Sequence, residues 1–287
     1  MKIGFLFPGQ GSQYVGMGLD IYEKYNEAKE IYNKVSKISN IDIKKISFEG
    51  PEEILSKTQN TQLSILTESL AILEILKKYN IRSQMSAGLS LGEYTALIED
   101  GILDFETGVS IVAKRGEIMQ NLTPKGNWQM VAIIGLEAKQ VENICQNITC
   151  GFAVPANYNT NEQIVVSGEE NAVQEVANQA KSIGAKKVII LKTAGPFHTK
   201  KLTKCSETLK AELKNSKIHL KNSKVAKNID GKLYNENDNI VEILSKHIIS
   251  PVKFTQCLET MYKNGIDCFI EIGPRKNIKW FCEANEI

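Results

Sequence analysis

Hydrophobic and polar residues follow two rhythms along the 287-residue chain, and the change between them divides it. "KIGFLF" is a short apolar run ended by Pro8 and Gly9, the pattern of a buried strand. Residues 14–35 and 62–79 repeat apolar positions every three or four residues, which predicts helices. "SQMSAG" predicts a strand at 83–88, followed by helices over 91–100 and 104–121, the second capped by Asp104. Strands alternating with helices in this way predict a mostly parallel sheet covered on both faces, a large α/β-hydrolase-like domain. Near Gly126 the rhythm changes. "WQMVAIIG", "GFAVPANYN", "EQIVVSG" and "KKVIIL" are strand-like, with helical stretches at 137–149 and 170–184. That βαββαβ order predicts an inserted ferredoxin-like subdomain over 126–192, leaving 1–125 and 193–287 as the large catalytic domain. Beyond it the pattern predicts a helix at 199–214, a strand at "KVAKNI", helices at 238–247 and 251–264, a strand at "DCFIEI" and a last helix after Gly273-Pro274.

Composition narrows the function classes. Hydrophobic residues make up 42% and charged residues 24%, as in globular domains, and no apolar run approaches the roughly 20 residues of a membrane helix. The apolar start stops at Pro8, too short for a signal-peptide core, so the expected location is cytoplasmic. Six cysteines show no C-x-x-C spacing, and Cys145 and Cys150 have no histidine nearby; free thiols are expected, with no metal and no cofactor. Between residues 181 and 232 there are 14 lysines against three acids, although the whole chain carries only +2. That stretch is either a solvated face or a docking surface for an anionic partner; without interleaved aromatics it does not predict nucleic-acid binding. A monomer is the default expectation.

The candidate chemistry centres on "SAGLSLGEYTAL". A serine hydroxyl is a weak nucleophile unless a base takes its proton and a tight turn presents it. Ser90 lies between Gly88 and Gly92, after a predicted strand and before a helix whose first N–H groups can face an oxyanion. G-x-S-x-G alone also occurs at ordinary turns, so a base is needed. Of three histidines, His219 lies among lysines and His247 ends a predicted helix; His198, in "AGPFHTKKL", opens a helix at a strand exit, where α/β enzymes gather catalytic groups. "FPGQGSQYVGMG" has the look of a phosphate loop, but Tyr14 stands where a dinucleotide fingerprint needs its third glycine, and no G-K-S/T follows. A glycine-rich strand exit carrying Gln10 suits close approach to a reacting oxygen instead. Arg115 lies on an otherwise apolar helix, a costly place for a cation unless it meets an anion.

Together "FPGQGSQ", "NTQLSI", "GLSLGEY", "KRGEIMQ", "ANYNTNEQIVVSG", "FHT", "NIDG" and "SPVKF", in this order over nearly the whole chain, resemble the malonyl-CoA:acyl carrier protein transacylases. The resemblance implies malonyl transfer from coenzyme A to a carrier-protein phosphopantetheine thiol through a malonyl-serine. It implies Ser90 as nucleophile, His198 as base, and the N–H groups of Gln10 and Leu91 as oxyanion donors. Arg115 becomes the binder of the malonyl carboxylate, the backbone carbonyl of His247 the group orienting His198, and Gln62, Asn157 and Asn159 supporting residues around the site. It gives the lysine-rich 181–232 region an acidic carrier protein as partner. Leu89 stands where a histidine commonly precedes the nucleophile, Leu63 where proline is usual, His247 where glutamine or asparagine is frequent, and Arg275 at a usual glycine. A serine hydrolase or thioesterase would share Ser90 and His198 but has no use for Arg115 or the inserted domain. A non-catalytic acyl-binding or carrier-binding module has no use for the reactive set.

Overall fold

The computed structural model describes residues 1–191, 195–219, 221–276 and 278–285. In chain order its strands are Ile3–Phe7 (β1), Met85–Gly88 (β2), Trp128–Ile134 (β3), Ala153–Thr160 (β4), Gln163–Glu169 (β5), Lys187–Leu191 (β6), Val225–Ala226 (β7), Val252–Lys253 (β8) and Cys268–Glu271 (β9). One sheet is all parallel, in the order β7-β2-β1-β9. Side chains of β1 alternate between two cores: Phe5 and Phe7 pack under the helices Asn26–Ser39, Thr58–Lys78 and Phe105–Leu122, while Leu6 meets Phe254, Leu258 and Met261 on the other face. Both faces are therefore covered, as a parallel sheet requires.

The second sheet runs β6-β3-β5-β4-β8. The β3, β4, β5 and β6 ladders are antiparallel, and the helices Ala138–Gln146 and Glu170–Ser182 bury Val141, Val173 and Val176 against Val131, Ile164 and Val166. Its fifth strand corrects the sequence reading. Val252 and Lys253, expected to begin a helix at 251, instead pair in parallel with Asn157 and Tyr158, and the helix starts at Phe254. β-branched Val252 suits a ladder, and the Lys253 N–H is taken by the Asn228 carbonyl at 2.8 Å, which keeps the segment extended.

Other elements also depart from expectation. The single helix expected over 14–35 is two, Leu19–Lys24 and Asn26–Ser39, broken at the extended Tyr25. Gly16 and Gly18 hold φ of 96° and 74°, left-handed backbone that stops the helix from starting earlier. The short helices Ile43–Phe48 and Glu52–Leu55 were not anticipated, and the 199–214 helix opens as a 3₁₀ turn over Lys200–Leu202. The strand expected at "KVAKNI" keeps only Val225 and Ala226; Asn228 spends its side chain elsewhere, as shown below. The boundary expected at 192/193 lies outside the described residues.

Glu68, on the fully packed Thr58–Lys78 helix, is only 6% exposed. Burial, with Asp20 adding to it, pushes its carboxyl up to about 8 from the ordinary 4.5. The folded state thus holds this proton more tightly than the unfolded chain, so stability is lost as pH rises from about 4.5 to 8. Glu68→Gln abolishes that loss. Its stability advantage over the parent should grow across the window to on the order of 3 kcal/mol, read from urea unfolding at pH 5, 7 and 9. An advantage independent of pH would contradict the assignment.

Candidate active site

The adjacent ends of β1 and β2, where Phe7 is in register with Gly88, release two loops on the same side of the sheet. The turn between β2 and the helix Leu91–Glu99 is too tight for side chains at its glycines. A Cβ on Gly88 would lie 1.9 Å from the carbonyl carbon of Gly92, and one on Gly92 would lie 2.1 Å from the carbonyl oxygen of Phe7. At its apex Ser90 adopts φ 54°, ψ −99°, a conformation that costs an L-residue about 1–3 kcal/mol unless its surroundings enforce it. The first loop closes over this turn: a Cβ on Gly9 would sit 2.5 Å from the carbonyl oxygen of Leu89. Gln10 is thereby carried next to the serine turn.

Ser90 Oγ lies 2.8 Å from His198 Nε2. The other ring nitrogen, Nδ1, is 3.0 Å from the carbonyl of His247 and 3.2 Å from that of Ser250. Both partners are acceptors, so the proton sits on Nδ1 and the Nε2 lone pair faces the hydroxyl. The first carbonyl matches expectation. The second was not anticipated; Ser250 lies in the turn three residues beyond the end of the Ile240–His247 helix. Burial, and then the nearby Arg115 guanidinium, push His198 down to about 4, so it is neutral at physiological pH.

Arg115 projects from the Phe105–Leu122 helix and is 1% exposed. Its Nη1 donates to Gln62 Oε1 at 2.6 Å, its Nη2 to Ser90 Oγ at 3.2 Å, and the guanidinium lies 5.3 Å from the Tyr94 ring centroid. Nε has no partner. Among the described residues its hydrogen-bond acceptors are neutral, which leaves a buried cation beside Ser90 without a bonded counter-charge. Gln62 orients this arginine and donates its own amide to Met119 Sδ at 3.4 Å.

Two residues absent from the sequence-based site join it. Glu93, fully buried, accepts from Tyr234 Oη at 2.7 Å and from the Asn228 backbone N–H at 3.2 Å. Burial pushes its carboxyl up to about 7. The His247 side chain is buried beside it, with Nδ1 3.1 Å from Glu93 Oε2 and its ring 5.2 Å from that of His198. Burial, reinforced by His198 and Arg115, holds it well below the ordinary histidine range. The signal for Glu93 was the acid in the first turn of the "SLGEY" helix; Asn228 lay in "NIDG", matched but given no role. Asn157 and Asn159 are buried on β4, but none of their hydrogen bonds reaches Ser90, His198 or Arg115; the Asn159 carbonyl instead accepts from Asn285 at 3.4 Å.

Comparison with known proteins places the chain in a family. Residues 4–278 match the family model for the acyl transferase domain. The malonyl CoA-acyl carrier protein transacylase of Bacillus subtilis is 38% identical over 96% of this chain and 87% of its own length, and that of Staphylococcus aureus strain MSSA476 is 36% identical over 96% and 89%. The crystal structure of the Clostridium perfringens malonyl CoA-acyl carrier protein transacylase superposes with a TM-score of 0.93 at 40% identity, covering 100% of this chain and 91% of that one. A chain from the complex of a type II PKS acyl-carrier protein with its malonyl-transacylase superposes at 0.94 with 29% identity, covering 99% and 93%. By sequence and by fold, this chain belongs to the acyl transferase family.

Proposed function

We propose that this chain moves a malonyl group from malonyl-CoA to the phosphopantetheine thiol of acyl carrier protein through a malonyl-Ser90 intermediate, supplying fatty-acid elongation. The relatives named for that activity support it, and one local observation carries it: a buried arginine whose hydrogen bonds among the described residues go to neutral acceptors, with Nη2 3.2 Å from Ser90 Oγ. In the first half-reaction Ser90 Oγ attacks the thioester carbonyl as its proton passes to His198 Nε2. The tetrahedral oxyanion is held by the N–H groups of Leu91 and Gln10, neither of which meets an acceptor among the described residues. The intermediate collapses with loss of the coenzyme A thiolate, which takes the proton from His198. In the second half-reaction the carrier thiol gives its proton to His198 and attacks malonyl-Ser90. Collapse forms the new thioester, and the proton returns to Ser90 Oγ. Arg115 grips the malonyl carboxylate throughout, a fork geometry that fits carboxylate and that lysine does not copy.

The test is the intact mass of the protein after mixing with malonyl-CoA. A malonyl-sized adduct that persists until a thiol is added, and is absent in Ser90→Ala, is expected. Rapid loss of the adduct to water would favour a hydrolase.

Finer parts of the reading rest on narrower support. The sheet order of β3 to β6, with two helices on one face, supports a ferredoxin-like subdomain over 126–192 inserted in an α/β-hydrolase-like domain of 1–125 and 193–287. In the lysine-rich 181–232 region, Lys186, Lys201, Lys210, Lys221 and Lys227 are paired with acids, whereas Lys200 and Lys204 are exposed just beyond His198. These two lysines are the preferred contacts for an acidic carrier protein approaching a monomeric, cytoplasmic enzyme. Lys200→Glu with Lys204→Glu should raise the carrier-protein KM about tenfold, leave the malonyl-CoA half-reaction unchanged, and flatten the salt dependence of KM.

A further inference from the structure

A strained nucleophile stays strained only where its surroundings leave it no alternative. The two glycines make room for the Ser90 turn, but they do not hold it. The holding contacts come from Asn228, which lies 138 residues away in sequence and is 0% exposed. Its Oδ1 accepts from the Ser90 backbone N–H at 2.7 Å, and its Nδ2 donates to the Gly88 carbonyl at 2.8 Å. One planar amide thus bridges both flanks of the nucleophile, and the polarity of the two backbone groups dictates which end is oxygen. Asn228 is itself tied down, its N–H donating to Glu93 Oε1 at 3.2 Å and its carbonyl accepting from Lys253 N at 2.8 Å.

We propose that Asn228 is the positioning residue of this site, a clamp that keeps Ser90 in the conformation placing Oγ against His198. This rests on Ser90 being the nucleophile and goes beyond the malonyl reading. Without the clamp the part-buried Ser90 N–H and the buried Gly88 carbonyl would lose their partners, and the turn would relax. Misplacement of a nucleophile by about 1 Å can cost about 100-fold in rate. Among the described residues no hydrogen bond joins Asn228 to Arg115, so malonyl-CoA affinity is expected to survive its loss.

The experiment uses the full chain and two probes, malonyl-CoA and a fluorophosphonate that needs only an activated serine. Asn228→Ala should modify Ser90 about 100-fold more slowly with either probe while still reaching one adduct per chain by intact mass. Malonyl-CoA should bind Asn228→Ala in a Ser90→Ala background within twofold of Ser90→Ala alone. Asn228→Asp is the isosteric control. Its carboxylate offers two acceptors, one opposing the Gly88 carbonyl, whereas its protonated form again offers one donor and one acceptor. The groups around it are Glu93, Tyr234, Cys257, Lys227 with Asp230 and Asp238, and, across the turn, His198 and Arg115. Between pH 8 and 5.5 its rate, relative to wild type at each pH, should recover at least tenfold, which a merely structural role would not produce. This holds the test even if Asn228→Ala fails to fold. Wild-type rates in both variants, a slower rate explained wholly by fewer modifiable chains, or no relative recovery of Asn228→Asp would each overturn the proposal. If the fluorophosphonate labels the wild type and malonyl-CoA does not, the malonyl reading fails while the fluorophosphonate rates still decide on Asn228.

Discussion

Replacing His198 with alanine lowers malonyl transfer to the carrier protein by roughly 10⁴- to 10⁶-fold, with little change in malonyl-CoA affinity, when single-turnover rates and binding are measured separately. The reasons are geometric and electrostatic. His198 is the group within 2.8 Å of Ser90 Oγ that can accept its proton, and its tautomer is set by two backbone carbonyls. The His247 carbonyl closes its helix, whose negative dipole end also stabilises the imidazolium formed on attack. The pH profile follows with a definite sign. With His198 pushed down from 6.5 to about 4, the neutral base persists through pH 5, so kcat/KM should hold its plateau to about pH 4.5 instead of falling near 6.5. Binding of malonyl-CoA neutralises Arg115, which contributes to that depression, so the acid limb of kcat should lie at higher pH than the limb of kcat/KM. For stability, a histidine whose folded value lies below its unfolded value contributes fully above pH 6.5 and loses that contribution as pH falls to about 4. An acid limb of kcat/KM at 6.5, or an alanine variant within tenfold of wild type, would refute the role.

The second large effect belongs to Arg115. Arg115→Ala should cut kcat/KM for malonyl-CoA by about 10²- to 10³-fold, the cost of losing a charge-assisted bidentate pair in a desolvated site. Acetyl-CoA has no carboxylate to lose, so its kcat/KM should hold or rise, because the guanidinium no longer competes for Ser90 Oγ at 3.2 Å. The preference between the two substrates therefore reverses. Arg115→Lys keeps the charge but not the fork. It also cannot keep both the Gln62 bond and the substrate bonds, so it should recover only about tenfold of the loss. Competition between the two acyl-CoAs, read from the mass of the acyl-enzyme, gives the result directly. If Arg115→Ala still prefers malonyl, the arginine is not the selectivity element.

How much of this was legible beforehand depends on the range of the interaction behind each feature. Gly88 answers a steric demand made by Gly92 four residues on, so that half of the turn can be read from "GLSLG", whereas Gly92 answers the carbonyl of Phe7 on the neighbouring strand. The helix cap at Asp104 is equally local, its carboxylate accepting from Thr107 N at 2.7 Å. His198 sits 108 residues from Ser90, and elimination among three histidines reached it only because the alternatives were few. The broken helix at 19–39 shows the opposite limit. Apolar spacing of three and four records which face is buried, and it stays silent about left-handed glycines at 16 and 18 that delay the start.

The sequence by itself determined the alternation of elements, the serine turn, the lone arginine on an apolar helix and a short roster of bases, because each follows from neighbours along the chain. Only the tertiary structure decided that Arg115 lies buried without a bonded carboxylate among the described residues, that Ser250 shares His198 with His247, that β8 joins the five-stranded sheet, and that Asn228 spans the Ser90 turn. These depend on groups brought together across tens to hundreds of residues, and hydrogen-bond geometry and burial are properties of that meeting rather than of either partner's sequence.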